Sequence, residues 1–90
     1  MTRFLLFAGL VHYPDGGAGD FRGAFASADE ARAAFDKDPR PGRINPYMLE
    51  AVAEWAEIAR FDGTSLEVVE MFTRESFPGR PGGWREGSWT

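Results

Sequence analysis

The chain begins with an extended apolar stretch at residues 3–13. Alternate positions of a strand point to opposite faces of a sheet, and both sets are apolar here: Phe4, Leu6, Ala8 and Leu10 on one face, and Leu5, Phe7, Gly9 and Val11 on the other. This pattern is typical of a central strand that is covered on both sides. Residues 20–26 alternate again, and residues 14–19 between the two stretches have the composition of a turn. The pattern predicts an antiparallel hairpin with a long loop.

At residue 27 the spacing of apolar positions changes from that of a strand to that of a helix. Ser27 and Glu30 form a capping-box pair, in which both side chains accept hydrogen bonds from backbone N–H groups at a helix start. Apolar residues follow at helical spacing, at Ala31, Ala34 and Phe35. Because proline cannot continue a helix, Pro39 and Pro41 end this one within residues 37–42.

A second helix is predicted after residue 45. Asn45 and Pro46 match an N-cap followed by proline at the first helical position. The apolar residues that follow keep helical spacing, at Met48, Leu49, Val52 and Ala56. This helix would pack beside the first on one face of the sheet.

Residues 54–73 fit either of two structures. The stretches 55–61 and 66–73 are rich in aromatic and β-branched residues, and the Asp62-Gly63 pair between them favours a β-hairpin. Thr64 and Glu67 form another capping-box pattern, which is compatible with two helices. We expect the hairpin.

Residues 76–90 differ from the rest of the chain in composition. They are rich in glycine and proline and contain two of the three tryptophans, Trp84 and Trp89. We therefore expect one domain at residues 1–75 and an irregular tail at residues 76–90 that docks on its own domain or on a partner chain. The predicted fold class is α+β: a small, mainly antiparallel sheet with one or two helices packed on one face and an irregular C-terminal tail.

Composition excludes several classes of function. The chain of 90 residues has no cysteine, which excludes thiolate metal sites and a cysteine nucleophile. Its net charge of −4 argues against general nucleic-acid binding. The apolar run at residues 4–11 is too short to cross a membrane. We expect a cytoplasmic protein without a metal or other cofactor. Since so short a chain buries only a modest core, we also expect a homo-oligomer.

The two halves of the chain differ in charge. Residues 1–45 carry six basic and six acidic side chains, whereas residues 46–90 carry four basic and eight acidic ones. An acidic half is usually a solvated surface that keeps a protein soluble. It also suits an alternative function, in which the acidic C-terminal half and the tail bind and block another protein.

The glycine-rich loop between the first two strands is the candidate ligand site. Three glycines in four positions allow several backbone N–H groups to converge on an anion, and arginine and aromatic residues nearby suit a nucleotide-like ligand. The candidate ligand-binding residues are Arg3, His12, Tyr13, Gly16, Gly17, Gly19, Arg22 and Trp84. Tyr13 would stack on a planar ring, and Trp84, from the same chain or from a neighbouring subunit, would close the site. In the plainer interpretation, a long loop simply needs glycines.

Catalytic chemistry has little support in the sequence. His12 is the single histidine and could act as a general base in a hydrolase, but no serine lies in a nucleophile elbow. One histidine among scattered carboxylates gives no metal-ligand spacing. We therefore expect a binding protein and not an enzyme.

The first third of the chain resembles a group of small uncharacterised proteins of phages and bacteria. The shared pattern is an apolar strand (residues 4–9), a Tyr-Pro-x-Gly-Gly loop (13–17), an Asp-Phe-x-Gly-x-Phe strand (20–25) and a capped helix (27–31). The resemblance is looser over residues 55–71. By analogy with small phage proteins, it implies stoichiometric action in the host cytoplasm: sequestration of a small anionic, nucleotide-like ligand or, alternatively, inhibition of a host protein.

Overall fold

A computed structural model describes residues 2–9, 20–42, 52–74 and 82–87. The elements are β1 (Arg3–Gly9), β2 (Phe21–Phe25), α1 (Ala28–Lys37), β3 (Trp55–Phe61), β4 (Leu66–Thr73) and β5 (Gly83–Glu86). The strands form one antiparallel sheet in the order β2-β1-β3-β4-β5. No helix in this part of the chain is long and apolar enough to cross a membrane.

The predicted fold class is wrong in its balance of helix and sheet. The described residues form a sheet of five strands with one helix of ten residues, so the sheet dominates. The last part of the predicted second helix is not helical, because Trp55 and Ala56 begin β3 and pair with Gly9 and Ala8 of β1. Residues 45–51 of that prediction lie outside the described residues.

The tail is not irregular throughout, which is a second correction to the predicted fold class. Within residues 76–90, Gly83–Glu86 form β5, which pairs with β4 from Glu70 to Thr73. The sequence pattern missed this strand because it has only four residues and begins at a glycine. Hydrogen bonding to β4, and not the intrinsic strand propensity of its four residues, stabilises β5.

The helix α1 confirms its predicted start. The Ser27 hydroxyl accepts a hydrogen bond from the backbone N–H of Glu30 at 3.1 Å, and the Glu30 carboxylate accepts one from the N–H of Ala26, also at 3.1 Å. At the other end, the N–H of Asp38 donates to the carbonyl of Ala34. Hydrogen bonds therefore satisfy backbone groups at both ends of the helix.

The β3–β4 hairpin is confirmed, and the two-helix alternative is excluded. The Asp62 carboxylate accepts hydrogen bonds from the N–H groups of Thr64 and Ser65, both at 2.9 Å, and from both hydroxyls. The bond from Thr64 N–H, followed by that from Ser65, holds the pKa of Asp62 well below its usual range. Gly63 has φ +102°, a conformation that glycine adopts without strain.

The core lies between α1 and one face of the sheet. Its fully buried members are Leu6, Ala8, Ala31, Phe35, Ala53, Ala56 and Ile58. Trp84 of β5 packs on this core, with ring centroids 5.6 Å from Phe35 and 5.4 Å from Phe72, and its Nε1 donates to Asp36 at 3.0 Å. Strand β5 is therefore tied to the helix as well as to β4.

The segment after α1 crosses the end of β1. The N–H of Gly42 donates to the carbonyl of Ala8 at 2.9 Å, and the N–H of Ala53 donates to the carbonyl of Pro39 at 2.8 Å. A Cβ at Gly42 would lie 2.3 Å from the backbone of Asp20, so only glycine allows this approach. The segment 38–42 is thereby held against the start of β2.

Candidate functional site

The structure describes three of the eight predicted ligand-binding residues, namely Arg3, Arg22 and Trp84. The other five, His12, Tyr13, Gly16, Gly17 and Gly19, lie outside the described residues. The structure nevertheless describes the residues that directly follow the glycine-rich segment in the chain. Asp20, the residue that directly follows the loop, is buried at 3% exposure beside the segment 38–42.

Arg22 lies in an irregularity of the β1–β2 ladder. Leu6 pairs with Gly23 and Phe7 with Phe21, so Arg22 is the extra residue of a bulge. Bulges redirect side chains out of the regular alternation. The Arg22 side chain, 16% exposed, reaches the end of α1, where its Nη1 donates to the carbonyls of Asp38 at 2.8 Å and of Arg40 at 2.5 Å.

Arg40 was not among the predicted site residues. Its Nε and Nη2 donate to the two carboxylate oxygens of Asp38 at 2.8 and 2.7 Å, and Arg22 Nη2 lies 3.8 Å from the same carboxylate. The hydrogen bond from Arg40 lowers the pKa of Asp38, and the same bond raises the pKa of Arg40. Two guanidinium groups thus share one carboxylate, and these three side chains together carry one net positive charge.

A small pocket lies between these groups. Its volume is about 170 Å³, and it is lined by Phe21, Arg22, Arg40, Pro41 and Gly42. Phe21 is 42% exposed, and its ring packs edge-on against the Phe7 ring, with 5.7 Å between the two ring centroids. Pockets for whole drug-sized ligands are about 300–1,000 Å³. This pocket is smaller, so its described walls leave room for one group of the size of a phosphate and not for a whole ligand. We call this site the basic pocket.

The structure does not bring Arg3 and Trp84 to the basic pocket. Arg3 is exposed at the start of β1, about 20 Å from Gly9 at the usual rise of a strand. Trp84 lies on β5, at the opposite edge of the described sheet from β2, and its indole contacts Phe35 and Asp36 of α1 and does not line the pocket. A closing role for Trp84 from a second copy of the chain stays a prediction.

The sequence carried only a weak signal for Arg40. A basic residue two positions after an aspartate, between two prolines, is ordinary for a turn that ends a helix. What gives Arg40 its place is the docking of the segment 38–42 on β1 and β2, a long-range contact. Within the described residues there is no group of three or more side chains that could hold a metal ion.

Comparison with protein families gives one match. The model of a family described as bacteriophage T4 protein Y07C matches residues 4–71. This span covers β1 to most of β4 and therefore includes the basic pocket. No curated protein matches the chain, and no solved structure matches it.

Proposed function

Because the chain belongs to the family of bacteriophage T4 protein Y07C, we propose that it is a phage-type binding protein that holds a small anionic ligand in the basic pocket and releases it unaltered. The observation that carries the proposal is the pairing of Arg22 and Arg40 around one carboxylate, next to the residue at which the glycine-rich loop ends. Arginine suits this task because its planar fork of donors matches carboxylate and phosphate groups.

The two guanidinium groups keep donors for a ligand. Each makes two hydrogen bonds within the described residues, and a guanidinium has about five N–H donors. The carbonyls that Arg22 contacts hold it in place and do not neutralise it, since they carry no net charge. An anion that enters the pocket would therefore meet a pre-positioned cation, which reduces the entropy cost of binding.

The proposed ligand is a nucleotide-like molecule whose phosphate occupies the basic pocket. The pocket has room for that group, and the exposed Phe21 ring beside it offers a surface for stacking a base. The remainder of the ligand would contact residues 10–19, where the sequence predicts converging N–H groups at Gly16, Gly17 and Gly19.

Calorimetry with inorganic phosphate and with mono-, di- and cyclic nucleotides tests the proposal. Arg40→Gln should weaken binding roughly tenfold, which is the scale of a lost hydrogen bond to a charged group. Because Arg40 is exposed, this substitution should leave the sheet intact. Arg3→Gln removes the same charge at the far end of β1 and should leave affinity unchanged. Absence of heat at millimolar concentration of every ligand would contradict the proposal.

The same samples separate binding from catalysis. Nucleotides recovered after long incubation should be unaltered, whereas hydrolysis that His12→Ala abolishes would favour the enzymatic alternative. We further propose that the protein acts in the host cytoplasm as a homo-oligomer. Light scattering on the purified protein measures its oligomeric state. Inhibition of a host protein by the acidic C-terminal half is the alternative function.

A further inference from the structure

An open groove lies beside the start of α1 and is lined by residues of β1, β3, β4 and β5. It has a volume of about 560 Å³ and joins a second cavity of about 420 Å³ through Glu70 and Glu86, which line both. Its apolar lining comes from Phe4, Ala28, Val68 and Val69, and its polar lining includes Arg60, Glu67, Glu70 and Glu86. We call it the acidic groove.

Glu70 and Glu86 are direct partners in the β4–β5 ladder, so their side chains share one face. Directly opposed like charges destabilise a sheet. Arg32 offsets one of them, because its guanidinium contacts the carboxylates of Glu70 and Asp29. Glu67 is paired with Arg60 at 2.6 Å. Glu86 is exposed and makes no ion pair or side-chain hydrogen bond within the described residues.

We propose that the acidic groove docks a basic segment of a partner protein, with one arginine or lysine of that segment between Glu70 and Glu86. Four carboxylates (Asp29, Glu67, Glu70 and Glu86) and three arginines (Arg32, Arg60 and Arg85) line the groove and the second cavity together, so the excess is one negative charge. The apolar lining at Phe4 and Val69 suits the carbon stem of a long basic side chain, which buries its methylenes while its charged head contacts carboxylates.

A protein segment fits the groove better than a small free cation. The groove continues past Glu86 into the second cavity, so it has an elongated shape that a chain would follow. In the part of the chain that the structure describes, strand β5 is the edge of the sheet, and the backbone of an edge strand can pair with a further extended segment. Such a segment would place one side chain in the groove and its backbone along β5.

Fluorescence polarisation with a labelled peptide of alternating arginine and leucine tests the proposal. Glu86→Gln should weaken binding about fivefold to tenfold, because it removes the carboxylate that has no ion-pair partner among the described residues. Asp36→Asn is the matched control: it removes one negative charge outside the groove and keeps an oxygen that accepts from Trp84 Nε1. Equal weakening in both variants would show attraction to net charge alone and would overturn the proposal.

Two further measurements separate a lost site from a lost fold. Glu86→Arg should abolish peptide binding and slightly raise the melting temperature, since the new arginine would pair with Glu70 across the strands. A variant that still binds the peptide as wild type does would overturn the proposal. So would spermidine that competes at the same concentration as the peptide, because the groove would then be a site for small cations.

Discussion

The two edges of the sheet carry opposite charge patterns around the same helix. At the β2 edge, two arginines surround one aspartate, next to the C-terminal end of α1. At the β5 edge, three carboxylates (Asp29, Glu70 and Glu86) lie around Arg32 and Arg85, next to the N-terminal half of α1. A helix dipole favours negative groups at its N-terminus and positive groups at its C-terminus. The two proposed sites thus lie near opposite ends of one short helix, and we propose that each binds a ligand of the opposite charge.

The largest effect on stability is expected from Trp84→Ala. This substitution tests whether Trp84 only stabilises the fold at the β5 edge or also contributes to ligand binding. The indole packs against Phe35 and Phe72, so its removal should cost about 3 kcal/mol of the free energy of unfolding. Urea unfolding followed by circular dichroism measures this loss. Affinity of the folded variant for phosphate should not change, because the basic pocket lies at the other edge.

Trp84→Phe provides the control for that experiment. It keeps an aromatic ring in the core but loses the hydrogen bond to Asp36 and part of the packing of the larger indole, so about 1–2 kcal/mol should be lost. A loss below about 1 kcal/mol for Trp84→Ala, together with weaker phosphate binding, would instead support a closing role for this tryptophan over the ligand.

Gly42→Ala is expected to break the β2 edge selectively. The new methyl group would lie 2.3 Å from the backbone of Asp20, so the segment 38–42 must move away from the start of β2. We expect a loss of about 2 kcal/mol, as for overpacked interiors, and weaker binding of phosphate, since Arg40 moves with the segment. Peptide binding at the acidic groove should be unchanged.

Gly87→Ala is the matched glycine replacement at the opposite edge. Gly87 has φ +109° and nothing within 4 Å of a new Cβ, so only backbone strain of about 1 kcal/mol is expected. Phosphate affinity should stay at the wild-type value in this variant. If Gly42→Ala leaves both stability and phosphate affinity intact, the segment 38–42 does not hold the basic pocket together.

A smaller effect is expected from acid. The hydrogen bond from Arg40 holds the pKa of Asp38 below its usual range, so the folded state favours the ionised carboxylate. That stabilisation is complete above the ordinary carboxyl pKa of about 4 and is lost as pH falls through the lowered value. Urea midpoints between about pH 5 and pH 2 should fall less steeply for Asp38→Asn than for wild type. Parallel slopes would contradict this role of Asp38.

The sequence predicted the elements whose signals are local. The capping box at Ser27 and the turn at Asp62-Gly63 fix their backbones through hydrogen bonds between near neighbours, and both are confirmed. Strand β5 and the break in the second predicted helix depend on pairing with distant strands. Periodicity within a short window cannot reveal such pairing, because the stabilising partner lies elsewhere in the chain.

The candidate site was predictable in part for the same reason. Arg22 was identified because it follows the glycine-rich loop closely in sequence. Arg40 was missed because only the docking of its segment across the end of β1 brings it to Arg22. The grouping of Trp84 with Arg22 came from residue type alone, and the strand order separates them.

The most direct test of the two-edge account is a single NMR titration of ¹⁵N-labelled protein, first with inorganic phosphate and then with the arginine–leucine peptide. The account predicts that phosphate shifts the amide signals of Arg22, Arg40 and Gly42, and that the peptide then shifts those of Glu70 and Glu86 without reversing the first set. Shifts of both sets by one ligand, or no shift at Arg22 and Arg40 with millimolar phosphate, would contradict it.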